Sequence, residues 1–466
     1  MKLSCTLMTA LLDPFSVSRT RRLRDRAFFV LIRGIVTLID SGEGTPKALS
    51  SPRLRWILNK FAHMYGFEAD RVLEEEAGRR VAWNLLKSVS DYGISTPQRL
   101  RAPVSVVWSL SYQCNLRCKH CYQNASQRSS DELTLDEQLN IVEQMARAGV
   151  SLVVLSGGEP LANPSLEKLI ERIKQHKMAV SIDSNGVLLD KEMVQHLKQL
   201  GVDSIEISLD SVNAESHDRF RGLEGAFEKT LDAVELCSDA GIFTTVATTS
   251  TKLNYAESGE LISLARSRGA QRVVFFDLVP AGRGRDIQDL KLSRVEQLQL
   301  MALVKKECSR EGCEVFTELP QYVVYSSVGD GESISNEAEK ALSVERFTLS
   351  SFFDCAGHDN IYRKVAVYLG GCPAGRLYCN IQPNGDVTPC MFMPRYPVAG
   401  NLRNQSFDEI WNGTTFQSLR DRSSLKGKCR ECRSVMVCGG CRAKAAAYES
   451  DYLASDPTCP IQVADA

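Results

Sequence analysis

The sequence predicts an α/β fold: a partial (β/α)6, TIM-like barrel, preceded by a helical domain and followed by a cysteine-rich one. Three observations carry the prediction. Between residues 103 and 307 one unit recurs, an amphipathic helix, a short turn that usually holds glycine, and a short apolar strand. Alternation on that rhythm builds parallel sheets. Residues 1–100 carry helical patterning without the strand rhythm. Finally, most of the 16 cysteines fall into two clusters, at 114–121 and 372–459. A chain of 466 residues is longer than single cores usually grow, which agrees with several domains.

The N-terminal domain, 1–100, reads as helical from stretches such as "SPRLRWILNKFAHMYG" and "VLEEEAGRRVAWNLLKSV" and shows no chemical motif. "AFFVLIRGIVTLID" (27–40) is apolar but carries Arg33 and is too short to span a bilayer. With "RTRRLRDR" before it, the alternatives are an interfacial helix and a buried one, and the buried helix is expected. "MKLSCTLMTALLDPF" lacks the features of a secretory signal. "STPQRLRAP" (95–103) reads as a linker. A formal net charge of −1 gives no global reason to expect a nucleic-acid partner.

The barrel, 103–307, opens with the strand "PVSVVWSLS". "ARAGVSLVVLSGG", "IKQHKMAVSIDSNG", "LKQLGVDSIEISLD", "CSDAGIFTTVATTS" and "ARSRGAQRVVFFDLVP" each end a later unit, giving six strands. The first helix carries a capping box, Thr134 to Glu137, and stops at Gly149. Six units fall short of a closed barrel of eight, and chemistry belongs at the C-terminal strand ends. Residues 308–371 read as an irregular connector, with "VGDGESISNEAEK" as a surface loop; residues 372–460 form the closing module.

Cys114, Cys118 and Cys121 follow the first strand in "CNLRCKHC". Three thiolates suit a [4Fe–4S] cluster with one iron left open; a zinc site with His120 or a distant fourth ligand is the alternative. Here the chain resembles the radical S-adenosylmethionine superfamily, whose signature "CNLRCKHCY" matches through Tyr122. The resemblance implies that the open iron binds S-adenosylmethionine, whose reductive cleavage gives a 5′-deoxyadenosyl radical that abstracts hydrogen from a substrate. It also implies cosubstrate contacts by Gly157, Gly158 and Glu159 in "SGGEP", Asn185 in "DSNG", Ser208 and Asp210 in "ISLD", and Arg221 in "HDRFRG". "VPAGRG" (279–284) after the sixth strand recurs in the same group.

The C-terminal module holds Cys372, Cys379, Cys390, Cys429, Cys432, Cys438, Cys441 and Cys459. Eight thiolates are enough for two fully ligated cubes or for two zinc ribbons. "PNGDV" signals a hairpin. Beside the first motif, the module is similar to the SPASM extension of that superfamily. The resemblance implies two auxiliary [4Fe–4S] clusters, one on Cys372, Cys379, Cys390 and Cys441, the other on Cys429, Cys432, Cys438 and Cys459. The two residues between Cys438 and Cys441 depart from the three often found there. Cys5, Cys237, Cys308, Cys313 and Cys355 receive no role.

The expected function is that of a radical enzyme acting on a peptide or protein being matured. Side-chain modification of a tetrapyrrole is the alternative, and a non-catalytic electron carrier or zinc-ribbon protein the rival of another class. Expected partners are a low-potential donor, flavodoxin or ferredoxin, and the substrate. A cytoplasmic setting is expected, with no membrane span.

Overall fold

The computed structural model describes residues 32–34, 36–37, 73–74, 76–93, 95, 97–308, 312–326 and 371–461. Cys5, Cys355, most of the N-terminal domain and the loop 328–340 lie outside them. Helix α1, Glu76–Tyr92, precedes the barrel. Then come strand β1 (Ser105–Ser109), α2 (Leu135–Ala148), β2 (Leu152–Ser156), α3 (Leu166–Gln175), β3 (Ala179–Ser184), α4 (Lys191–Gln199), β4 (Ser204–Ser208), α5 (Ala214–Arg221) and α6 (Ala226–Asp239). The barrel continues with β5 (Phe243–Ser250), α7 (Ser258–Ser267), β6 (Arg272–Asp277), α8 (Arg294–Glu307) and β7 (Glu314–Thr317). The C-terminal module contributes β8 (Tyr378–Ile381), β9 (Asp386–Thr388) and β10 (Gly400–Asn401), followed by short helices and by α9 (Arg442–Glu449).

The ten strands of the described residues form one sheet in the order β10-β9-β8-β1-β2-β3-β4-β5-β6-β7. From β8 through β7 every neighbouring pair is parallel. The barrel is open, since β1 does not pair with β7. Val106, Leu155, Val180, Ile205, Val246 and Val273 are fully buried against α2–α8. Thr134 caps α2 through the reciprocal capping box with Glu137, and Gly149 ends it at φ 101°. The left-handed backbone there suits glycine, which has no Cβ.

Two departures from the sequence reading matter. A seventh parallel strand, β7, lies within the stretch read as irregular. Its four residues "EVFT" are too short for alternation to stand out. The closing module also joins the barrel sheet itself. β8 extends the β1 edge, and the "PNGDV" turn links it to antiparallel β9. At the far side, Gln321 donates to Asp456 (2.6 Å) and Arg294 to the Pro460 carbonyl (2.6 Å). The module therefore grips the barrel near both sheet edges.

α1 is docked, not tethered. Buried Arg80 donates to the carbonyls of Val150, Ala146 and His176, at 2.8, 3.0 and 3.2 Å. Trp83 and Val89 pack with Ile32 and Val36 from the apolar 27–40 stretch. The segment read as a linker is packed as well: Leu100 is buried, and its carbonyl accepts from Trp411 Nε1 at 3.3 Å. Among the described residues, no helix is long and apolar enough to cross a membrane.

Candidate functional site

The loop after β1 carries Cys114, Cys118 and Cys121 to the C-terminal mouth of the barrel, where all three line a cavity of about 140 Å³. Its backbone is fixed from several directions. Gly158 and Glu159 after β2 donate their N–H groups to Ser111 and Gln113 carbonyls, at 2.7 and 2.9 Å. A Cβ on Gly158 would strike the Gln113 carbonyl, so the close approach requires glycine. From α5, the carbonyls of Phe220 and Arg221 accept from Lys119 and Arg117. After β6, Arg283 donates through Nε to the Cys118 carbonyl (2.8 Å) and through Nη1 to the Ala125 carbonyl (2.9 Å).

Gly157, Gly158, Asn185, Ser208 and Arg221 line the same cavity as the three cysteines. Glu159 and Asp210 are not among its lining residues; they stand one layer behind. Glu159 is 2% exposed, and its carboxylate accepts from Ser184 Oγ (2.9 Å) and from the Asn185 and Leu161 amides (3.0 and 3.2 Å). Asp210, 1% exposed, lies 2.7 Å from Arg221 Nε and accepts from the Thr249 amide. Both carboxylates orient residues that do face the cavity. Burial opposes the Arg221 charge, but Asp210 and Cys118 outweigh it and hold the guanidinium above its usual pKa.

Sequence reasoning missed three cavity-facing groups. Arg283, within "VPAGRG", lines the cavity. Asp183 and Glu206 occupy paired register positions on β3 and β4 and both line the cavity. Asp183 lies at the C-terminal end of β3, beside Ser184 and Asn185, which line the same cavity. Desolvation pushes both carboxyls up, and each acid repels the other's charge or that of a further carboxylate.

The donor set fits an iron–sulfur cluster. Burial raises the Cys114 thiol to about 12 and also raises Cys118. Desolvated thiols ionise only beside an electropositive partner, which cluster irons are. All fourteen cysteines in the described residues are free thiols.

In the C-terminal module burial raises the thiols, and neighbouring thiols add to the effect. Burial raises Cys459 to about 11, with Cys429 and Cys432 adding to the effect; burial also raises Cys438, with Cys459 and Cys432 adding. Cys390 is raised to about 12 by burial and by Cys372, and Cys441 by burial, Asp456 and Cys372. Cys372 and Cys390 share an apolar cluster with Cys441. Cys379 does not join them. It is fully buried in the main barrel core, with Trp411 and Phe416.

A second cavity, about 310 Å³, adjoins the first and shares Tyr122, Arg283 and Phe392 with it. Arg285 and Arg395 stand at its wall, over a floor that includes Ala443, Ala446 and Ala447.

The fold and site are those of an open parallel barrel that carries a thiol-rich loop at its mouth, a donor set for an iron–sulfur cluster. A family model described as the radical SAM superfamily matches residues 108–265, and one described as SPASM, an iron–sulfur cluster-binding domain, matches 372–433. An AdoMet-dependent heme synthase of Methanosarcina barkeri is 34% identical, covering 77% of this chain and 96% of the relative. Mycofactocin maturase MftC of Mycobacterium tuberculosis is 30% identical, covering 77% and 83%. The crystal structure of Streptococcus suis SuiB bound to precursor peptide SuiA superposes with a TM-score of 0.61 at 17% identity, covering 83% of this chain and 81% of that one. The chain belongs to the radical SAM superfamily and carries a SPASM domain. It is an enzyme of that class, which binds iron–sulfur clusters and S-adenosylmethionine, and the electron-carrier and zinc-ribbon alternatives fall away.

Proposed function

We propose that this enzyme abstracts hydrogen from a side chain of a carboxylate-bearing tetrapyrrole. The observation that carries the reading is the second cavity. Its volume, about 310 Å³, takes one carboxylate-bearing edge of such a ring, with the rest of the macrocycle outside it. Arg285 and Arg395 supply planar guanidinium forks that suit carboxylates, and the alanine floor suits an apolar ring system. The heme synthase relative, matched over nearly its whole length, supports the same reading.

In this proposal Cys114, Cys118 and Cys121 hold the [4Fe–4S] cluster that receives S-adenosylmethionine. When bound, that cluster supplies the electron that splits the cosubstrate into methionine and a 5′-deoxyadenosyl radical. Gly157 and Gly158 offer backbone to the methionine moiety, with Asn185, Ser208 and Arg221 beside it. Glu159 orients Ser184 and Asn185, and Asp210 orients Arg221. Arg283 pins the cysteine loop and so would fix where the three thiolates present the cluster. The C-terminal module holds two auxiliary clusters, one of them on Cys429, Cys432, Cys438 and Cys459. A low-potential flavodoxin or ferredoxin serves as donor, in the cytoplasm.

A peptide or protein substrate is the second reading. Asp183 and Glu206 favour it, because buried acids facing the cavity accept N–H donors such as peptide amides and amines. The similarity to MftC supports it as well. The test is anaerobic, with reconstituted and reduced protein. An iron coproporphyrin should stimulate 5′-deoxyadenosine formation and lose side-chain mass, and Arg285→Ala with Arg395→Ala should raise its KM. Stimulation by peptides and none by the porphyrin would transfer the assignment to the second reading.

A further inference from the structure

We propose that the first auxiliary cluster is held by three cysteine thiolates, Cys372, Cys390 and Cys441, with an exchangeable fourth position, and that Cys379 is a packing residue. The inference rests on the reading of the C-terminal module as a two-cluster domain.

Strand alternation carries the argument. Successive residues of β8 point to opposite faces of the sheet. Tyr378 faces the apolar cluster that holds Cys372 and Cys390, and its hydroxyl donates to Cys390 Sγ at 2.6 Å. Asn380 shares that face, with Nδ2 donating to Thr388 Oγ1 at 3.2 Å. Cys379 and Ile381 therefore point the other way, and both are fully buried in the barrel core. Arg420, stacked on Trp411 at 4.0 Å, lies on the Cys379 side. The β8 strand itself stands between Cys379 and the other three thiols.

Register forbids an easy rescue. β8 is locked to β1 through Ser105↔Tyr378, Val106↔Cys379, Val107↔Asn380 and Trp108↔Ile381. A one-residue slip would turn Cys379 toward the cluster, but it would flip every other side chain of the strand as well. Asn380 would enter the apolar core, and Tyr378 would leave Cys390. A buried amide without partners costs on the order of 1–3 kcal/mol in mutational data. Among the described residues no other cysteine stands with the three.

Three thiolates leave one iron of a cube without a protein sulfur. The apolar cluster around them includes Met393 and Ala443, which also line the 310 Å³ cavity, so the site borders the space assigned to substrate. A nitrogen, oxygen or sulfur donor small enough to enter is the class of ligand such a corner takes.

The experiment uses the full chain with Cys114, Cys118 and Cys121 all changed to Ala, so that only the auxiliary clusters remain. After anaerobic reconstitution this protein should hold about eight irons. Adding Cys379→Ser should leave iron, sulfide and the reduced-state EPR spectrum unchanged, whereas adding Cys372→Ala should alter all three. Imidazole should shift the EPR signal of the parent variant, and the shift should vanish with Cys372→Ala. Loss of about four irons with Cys379→Ser would overturn the inference, as would an imidazole-insensitive spectrum or a changed spectrum with Cys355→Ala. A parent variant that binds no iron would instead overturn the two-cluster reading of the module.

Discussion

The cysteine loop after β1 and the C-terminal cysteine module both gather buried thiols, but they do so by different means. In the loop, three cysteines lie within eight residues and ride on one turn-rich segment. The surrounding strands hold that segment by its backbone: Gly158, Glu159, Phe220 and Arg283 all bond to it. In the module, cysteines far apart in sequence are brought together by a sheet edge, a helix start and a tail. Residue spacing specifies the first kind of site. The second also depends on which face of a strand a residue occupies, and spacing is silent about that.

Cys118→Ala tests the contrast with the largest effect. Cleavage of S-adenosylmethionine should be abolished, while the circular dichroism spectrum stays that of the parent. Iron should fall from about twelve to about eight per chain. A parallel loss of all iron would mean that the two regions assemble as one unit. Cys432→Ala reverses the test: uncoupled cleavage should persist while substrate turnover falls away. Equal loss of both activities would remove the distinction between a radical site and an auxiliary one.

The junction between the two regions has its own test. Lys444, on α9 three residues after Cys441, forms a buried ion pair with Asp277 at the end of β6. Gln297 donates to the same carboxylate oxygen at 2.8 Å. Lys444→Met leaves Asp277 charged and buried, which should cost about 3–5 kcal/mol. Adding Asp277→Leu should recover most of that loss. The exposed pair of Arg403 and Glu137 also joins module to barrel, at 2.7 Å. The coupling between the two side chains, from a double-mutant cycle, should be below about 1 kcal/mol. Denaturant midpoints of the apo variants measure both.

Legibility follows the same divide. The barrel was readable because short strands, apolar runs in β1, β2 and β6 and apolar–polar mixtures in β3, β4 and β5, recur between amphipathic helices, and "SGGEP", "DSNG", "ISLD" and "HDRFRG" each fall at or just after a strand end. The hairpin at "PNGDV" was readable from Asn-Gly alone. β7 was not, because four residues carry too little alternation. Cys379 is surrounded by ligand candidates in sequence; only the pairing of β8 with β1 shows which side of the strand it faces. Glu159 was read as a cosubstrate contact since it sits in a contact motif, yet its carboxylate is taken up by Ser184, Asn185 and Leu161.

That placement of Glu159 gives the smallest effect, and it separates a positioning carboxylate from a ligand-bearing loop. Burial raises its pKa to about 7, against the hydrogen bonds from Asn185, Ser184 and Leu161 that favour the charge. The unfolded chain has an ordinary carboxyl near pH 4.3. Between those values the native apo-protein binds the extra proton, so its stability falls as pH rises and levels off above about pH 7. The slope from this one group approaches about 1.4 kcal/mol per pH unit at most. Glu159→Gln removes the titration while keeping an acceptor for the Asn185 amide and a donor for Ser184 Oγ. Denaturant midpoints of the apo variant between about pH 4.5 and 8 should therefore be flatter than those of the parent. An unchanged slope would mean that Glu159 is solvated, and it would return Glu159 to the group of residues that face the cavity directly.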